Sequence, residues 1–449
     1  KKYSFEQVFI KGLADDGGLF VPKTLNKFTS EELKLFKNLS YQNLAKKIIF
    51  PFIGDFMSKG ELSNIIDKSY SVFRNDNVVK IIDLEKVKIL ELFHGPTLAF
   101  KDIAMQLLGN FYEHYLNKNK KNINIVVATS GDTGAAAIEA IKGKNNINIF
   151  VLHPHNKVSY VQRKLMSTVK EENVFNIAIE GNFDDCQNLV KSMFSDKNFF
   201  EKINMSGVNS INWARIIAQT VYYFYSFFLL KNNEPINYSV PTGNFGDVYA
   251  GYLSKKMGLP INKFLVATNE NNILDRAISN GKYEVGKVLE TISPSMDIQM
   301  ASNFERLIYD LNEFNDLETK KIMQNIKKNG KYIISKNKTE KIKKDFLSAS
   351  LNEGEIIDAI KFVYEKNKII LDPHTAIGFG AIKKVKLGGT NVVLSTAHPC
   401  KFPTAINSAI KITPELPNEL KHVLDEKENY EIISNNSNKV KKYILSQLN

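Results

Sequence analysis

Strand-like and helix-like runs alternate along most of this chain, and that alternation restricts the folds open to it. Ile123-Asn124-Ile125-Val126-Val127-Ala128 has the β-branched content of a strand; a Gly-rich turn follows, then Ala135 to Ile141 with helical character. Strands at Ile147 to Leu152 and Val174 to Ile179 alternate with helices around Tyr160 to Val169 and Asp184 to Phe194. A long helix from about Ile211 to Leu230 ends this unit, and the pattern restarts after Pro235. There, strands at Tyr238 to Val240, Phe264 to Ala267 and Val392 to Leu394 alternate with helices at Val248 to Met257, Ile273 to Ile278 and Thr375 to Val385, with another helix after Pro403. Spacing of this kind calls for parallel strands joined by helical crossovers, hence sheets covered on both faces. At 449 residues the chain exceeds what one core usually serves, so two or more such domains are expected.

The flanking regions read differently. Residues 1–87 form a cap, a turn-rich entry to Pro22 followed by amphipathic helices. Thr29-Ser30-Glu31-Glu32 suits a capped helix start with Leu33, Leu35 and Phe36 facing inward, and a second helix follows Tyr41. One α/β domain spans 88–231 and a second spans 232–449, the latter carrying a charged helical insertion at about 302–367.

Composition removes several function classes. Hydrophobic residues at 43% and charged residues at 24% describe a soluble globular protein. Cys186 and Cys400 are too few for a disulfide framework and fit a reducing compartment; Cys400 reads as a packed structural thiol. The most apolar stretch, Val221 to Leu230, is short and tyrosine-rich, a buried helix rather than a membrane span. The net charge of +12 gathers in lysine runs at 117–121 and 320–344 whose one aromatic residue, Tyr332, makes no interleaved stacking platform, so they read as solvated faces and not as a nucleic-acid surface. Lys1-Lys2-Tyr3 begins no signal-peptide core and no initiator methionine is present, so further residues are expected upstream.

Four stretches carry chemistry. Ile89-Leu90-Glu91-Leu92-Phe93 is strand-like and breaks at Gly95-Pro96; Lys101 then follows Leu98-Ala99-Phe100 and leads into a helix at Ile103 to Leu108. A lysine in an apolar pocket is pushed toward the neutral amine that attacks an aldehyde; on residues alone, a surface lysine at a helix start is equally open. Thr242-Gly243-Asn244-Phe245-Gly246-Asp247 and Thr129-Ser130-Gly131-Asp132-Thr133-Gly134 both link a strand to a helix. Glycines and helix N-termini make anion cradles there, although a tight turn, or N-capping by Ser130 or Asp132, explains the same letters. Asn209, Ser210 and Arg215 form a further anion-binding set, unless Arg215 pairs with a surface carboxylate. Thr396 is a hydroxyl at a strand end, and no metal-ligand spacing links His94 and His398 to the other histidines, so no metal is expected.

Taken in order, these stretches resemble the threonine synthase family. Phe93 to Asp102 matches its HGPT-x-AFKD lysine segment, and Thr396-Ala397-His398-Pro399-Cys400-Lys401-Phe402 its C-terminal motif. Gly12 to Pro22 and Asn209-Ser210-Ile211-Asn212-Trp213-Ala214-Arg215 match as well, so the resemblance covers nearly the whole chain. It implies the fold type II architecture of pyridoxal-phosphate enzymes, two open parallel-sheet α/β domains with the cofactor between them. It also implies that Lys101 holds pyridoxal 5'-phosphate covalently and serves as general base, while Gly243, Asn244, Phe245, Gly246 and Asp247 cradle the cofactor phosphate and Thr396 meets the pyridine nitrogen. Thr129, Ser130 and Thr133 would take the substrate α-carboxylate, and Asn209, Ser210 and Arg215 its phosphate. Asp132 would lie by the cofactor's ring hydroxyl, where a free negative charge repels both cofactor and substrate. The implied reaction converts O-phospho-L-homoserine and water to L-threonine and phosphate in the cytoplasm. A sibling phospho-lyase releasing 2-oxobutyrate is the alternative, and monomer and dimer are both open.

Overall fold

The computed structural model describes residues 1–84, 86–230 and 235–448. A five-stranded sheet runs in the order Glu431–Ser434, Val174–Glu180, Ile147–Pro154, Ile123–Ala128, Met205–Ser206, with each neighbouring pair parallel. A six-stranded sheet runs Lys80–Leu84, Val87–Glu91, Asn391–Ser395, Ile236–Pro241, Ile261–Thr268, Phe346–Ser350, and is parallel apart from the antiparallel pairing of its first two strands.

Side-chain alternation explains why both faces are covered. Ile125 and Val127 join the core that holds Ala136 and Ile138 of the helix Asp132–Ile141, whereas Val126 joins Cys186, Leu189 and Met193 of the helix Phe183–Ser195. In the larger sheet Val392 and Leu394 face one core, and Val393 faces Ile377 and Ile382 of the helix Pro373–Val385. The tyrosine-rich helix Trp213–Leu229 is buried along most of its length and packs on the helices Tyr41–Ile53 and Lys101–Asn119. Among the described residues no helix is long and apolar enough to cross a membrane.

Sheet membership does not follow chain order. Val87–Glu91, read with the lysine-bearing unit, lies in the larger sheet beside Asn391–Ser395, and Glu431–Ser434, read with the second unit, returns to the edge of the smaller sheet. The stretch read as a helical insertion at 302–367 contains the edge strand Phe346–Ser350, and the one read as a helical cap contains Lys80–Leu84. Both are five-residue edge strands, too short to show a period of two against their surroundings. The boundary at 231/232 falls outside the described residues. Thr29 does cap the helix Ser30–Phe36 through a capping box with Glu32. Phe36 is buried, but Leu35 is 75% exposed: Leu33 and Phe36, three apart, share the inner face and Leu35 lies off it.

Candidate active site

The strand Val87–Glu91 stays laced to Asn391–Ser395 past the ends of both. Leu92 N–H donates to Ser395 O (3.0 Å), Phe100 N–H to Thr396 O (2.9 Å), and His398 N–H to Leu98 O (3.0 Å). Beyond the parallel strands, an antiparallel bridge between Ala99 and Ala397 thus sets the lysine segment and the C-terminal motif side by side. Asp102, fully buried, accepts from the Thr97 N–H at 2.8 Å and the Thr97 hydroxyl at 2.6 Å. The loop it closes passes over Gly95, where a Cβ would lie 2.4 Å from the Asp102 Cβ. Gly95, Thr97 and Asp102 are one local unit, and it sets Lys101, 9% exposed, at the start of Lys101–Asn119. Burial pushes the Asp102 carboxyl up to about 6 against the pull of the Thr97 hydrogen bonds.

Lys101 Nζ lies 3.2 Å from Asp132 Oδ2. The other oxygen, Oδ1, meets Lys401 Nζ at 2.5 Å and accepts from Gln162 Nε2 at 2.8 Å. Lys401, fully buried, also donates to Thr97 O at 2.9 Å, and Ser295 Oγ stands 3.5 Å from Asp132 Oδ2. Gly131 has φ +136°, and a Cβ there would come within 2.7 Å of Gln162. Burial disfavours the Asp132 charge, but the Lys401 and Lys101 ammoniums overcome it and hold the carboxyl well below the usual range. For Lys101 burial dominates: its pKa is lowered, with Lys401 and Arg215 adding to the effect and Asp132 opposing it. Asp132 is therefore not the free, repelling charge that the sequence implied; Lys401 pairs with one of its oxygens and Lys101 meets the other. Lys401 stood in a recognised motif with no role given to it, and Gln162 stood in none.

The anion loops are built with different parts exposed. Thr129 Oγ1 accepts from the N–H groups of Gly131 and Gly134, both at 2.9 Å, so it braces its own turn; Ser130 and Thr133 are half-buried on that turn. Phe245 adopts φ +63° and buries its ring edge-on to Phe304 at 5.3 Å. Only its backbone belongs to the turn, which ends in the helix Gly246–Lys256 with the unpaired N–H groups of a helix start. The Asp247 carboxylate accepts from the hydroxyls of Tyr222 (2.5 Å) and Tyr223 (2.8 Å), and burial pushes it up to about 6. Both hydroxyls meet Oδ1 and Oδ2 is buried without a partner; a carboxylate offers an anion no donor, which leaves the backbone as the means of holding one. Asn244 is half-buried with its carbonyl accepting from Asn303 N–H at 3.0 Å, and a Cβ on Gly243 would lie 3.0 Å from Ser295 O.

Arg215 is 4% exposed, donates from Nη1 to Val208 O at 3.1 Å, and leaves Nε without a partner. Among the described residues no carboxylate forms an ion pair with it, and burial pushes its pKa down to about 10. The surface salt bridge is thereby excluded. Ser210 is half-buried and Asn209 exposed. The Ser210 carbonyl accepts from Asn303 Nδ2 at 3.3 Å and lies 3.7 Å from where a Gly246 Cβ would sit, so the loops at 209–215 and 242–247 abut. From behind, Arg306 donates to Phe20 O (3.0 Å) and Ile211 O (2.8 Å), and Asn212 donates to Phe9 O (2.9 Å), docking the N-terminal segment on this loop. Thr396 is 7% exposed next to the lysine segment. His398 Nδ1 accepts from Cys400 N–H at 3.2 Å, and burial pushes its imidazole down to about 4. Both cysteines are free and buried, their thiols pushed up to about 12.

A buried lysine biased toward its neutral form, a backbone cradle at a helix start and a buried guanidinium with no carboxylate paired to it among the described residues suit a phosphate-bearing aldehyde and an anionic substrate. Residues 83–396 match the family described as "Pyridoxal-phosphate dependent enzyme". The protein is a pyridoxal-phosphate-dependent enzyme of the fold type II class. Residues 1–70 match "Threonine synthase N terminus" and residues 375–444 match "Threonine synthase, C-terminal". A threonine synthase of Pseudomonas aeruginosa is 43% identical over 98% of this chain and 95% of its own length. The solved structure of pyridoxal-phosphate-bound threonine synthase from Brucella melitensis superposes with a TM-score of 0.96 at 42% identity, covering 99% of this chain and 96% of that one. The yeast threonine synthase structure gives a TM-score of 0.94 at 41% identity over 100% and 96%. The chain belongs to the threonine synthase family.

Proposed function

We propose that this enzyme converts O-phospho-L-homoserine and water to L-threonine and phosphate. One observation carries the reading most directly: Arg215 is a buried cation that no carboxylate pairs among the described residues, in a segment that abuts the Gly243–Asp247 cradle but is no part of it. A site holding only the cofactor needs one phosphate pocket; two such pockets suit a cofactor and a substrate that each bring a phosphate.

Pyridoxal phosphate, when bound, supplies an electron-accepting ring that makes the substrate's carbon-bound hydrogens acidic. The chain's own groups do the rest. Lys101 would hold the cofactor, and its amine is the group that would move protons between substrate carbons, for which its lowered pKa suits it. The backbone of Gly243, Asn244, Phe245, Gly246 and Asp247 would hold the cofactor phosphate, and the Thr396 hydroxyl would meet the pyridine nitrogen. Because a hydroxyl would not keep that nitrogen protonated as a carboxylate would, the chemistry would depend more on the site's other groups. Ser130 and Thr133, on the turn braced by Thr129, hold the α-carboxylate. Arg215, with Asn209 and Ser210, orients the leaving phosphate. The two free thiols support a reducing, cytoplasmic setting.

The test is to incubate holoenzyme with O-phospho-L-homoserine and assay threonine, 2-oxobutyrate and phosphate separately. Threonine and phosphate should appear in equal amounts. Release of 2-oxobutyrate in place of threonine would instead make the protein a phospho-lyase. Borohydride reduction and peptide mapping should put the pyridoxyl group on Lys101.

A further inference from the structure

Lys401 has no part in that scheme, yet the fold takes trouble over it. Its side chain is fully buried, where an ammonium is costly unless paired, and Nζ has two partners: Asp132 Oδ1 at 2.5 Å and Thr97 O at 2.9 Å. Those partners belong to the turn that opens Asp132–Ile141 and to the loop that places Lys101. Its neighbour Cys400 is buried in the core, so the turn Pro399–Lys401 divides sharply, one side chain into the core and the next into the site.

The charged groups that face Lys101 come from every element around it: Asp132, Lys401 on its turn, Arg215 on the helix Trp213–Leu229, and Asp247 on Gly246–Lys256. The nearest, Asp132, is the one that would hold Lys101 as an ammonium. Building on the reading of Lys101 given above, we propose that Lys401 is a positioning residue that shares the Asp132 carboxylate and so weakens its hold on Lys101, favouring the neutral amine that meets the cofactor aldehyde. The nitrogen lone pair attacks the aldehyde carbon. A carbon–nitrogen double bond replaces the carbon–oxygen one, and the oxygen departs as water with the two amine protons. A protonated Lys101 has no lone pair for this step. Remove Lys401, and Asp132 keeps Lys101 as its sole ammonium partner, which favours the charged form. The Thr97 contact joins this charge control to the loop that fixes where Lys101 stands.

The experiment follows uptake of pyridoxal phosphate by the full-length chain freed of cofactor, by absorbance, from about pH 6 to about pH 9. The chains compared are wild type, Lys401→Met, Lys401→Arg, Asp132→Asn and the double variant Lys401→Met/Asp132→Asn, with borohydride mapping of the labelled lysine and a melting temperature for each. Lys401→Met should slow uptake near neutral pH on the order of tenfold and move its rise to more alkaline pH. Lys401→Arg, which keeps the charge, should retain most of the rate. Asp132→Asn alone should move the profile toward acid, which provides the reading should Lys401→Met not fold. The double variant should recover the wild-type profile, because the carboxylate that held the proton is gone. A packing role predicts slower uptake at every pH, no rescue in the double variant and a lower melting temperature. An unmoved profile in Lys401→Met and Asp132→Asn, or no recovery in the double variant, overturns the proposal while labelling of Lys101 stands. Labelling of another lysine in wild type overturns the reading of Lys101 and this proposal with it.

Discussion

Replacing Arg215 separates a ligand-binding guanidinium from a structural one, because the structure assigns the two roles opposite signs. Arg215→Met keeps most of the buried side-chain volume and removes the charge. On the stability side, Val208 O loses its donor, a cost of about 1–3 kcal/mol for a buried group left unmade. Against this, a buried guanidinium with no carboxylate among the described residues is itself expensive, by several kcal/mol, and its removal returns that penalty. The melting temperature should therefore hold steady or rise. On the catalytic side, loss of a charge-assisted guanidinium contact with a phosphate costs roughly 2–4 kcal/mol, or about 30- to 1000-fold in kcat/KM. Arg215→Lys should recover only part of this, since an ammonium lacks the planar fork. Cofactor affinity should stay near wild type, because its phosphate is assigned to the Gly243–Asp247 turn, and inhibition by free phosphate should weaken. Steady-state kinetics, cofactor titration and melting on one preparation of each variant decide the matter. Near-normal kcat/KM together with a lowered melting temperature would refute the reasoning.

Two further expectations concern the lysine segment and its neighbour. Thr396→Val should lower turnover more than stability, while Thr396→Asp should favour a protonated ring nitrogen, shift the cofactor spectrum and change product partitioning; unaltered spectra and kinetics in both would dismiss the contact. Asp102 has a folded-state pKa of about 6 against an ordinary 3.8, so the folded chain holds its proton more tightly than the unfolded chain and stability falls as pH rises between those values, by roughly 3 kcal/mol once complete. Asp102→Asn does not titrate, so in denaturant melts its stability relative to wild type should improve from about pH 4 to about pH 6 and then level off; a difference that stays constant across that window argues against a raised pKa.

Local period carried much of the fold: the strands Ile123–Ala128 and Ile147–Pro154 and the helices between them are runs whose own residues declare them. Sheet membership is not local. Val87–Glu91 pairs with a strand that begins at Asn391, and nothing in five residues states which of two sheets will accept them. The site divides along the same line. Lys101, Arg215 and the glycine turns could be read because a motif names a position, but a motif does not say which atoms of that position face the ligand. Phe245 and Asp247 both stand in the cradle motif, yet one ring is packed against Phe304 and one carboxylate is held by two tyrosines, so the backbone is what they offer. Thr129 likewise turns its oxygen to its own loop. Charge balance lay furthest from the letters. Asp132 read as a liability because its charge would repel the substrate carboxylate and the cofactor's ring hydroxyl; its two cations come from positions 101 and 401, joined only when the antiparallel bridge between Ala99 and Ala397 draws Thr396 against Phe100. A buried carboxylate between two lysines is a feature of three chain segments at once. For that reason the double variant, which removes one member from each of two segments, is a sharper probe of the site than any single replacement.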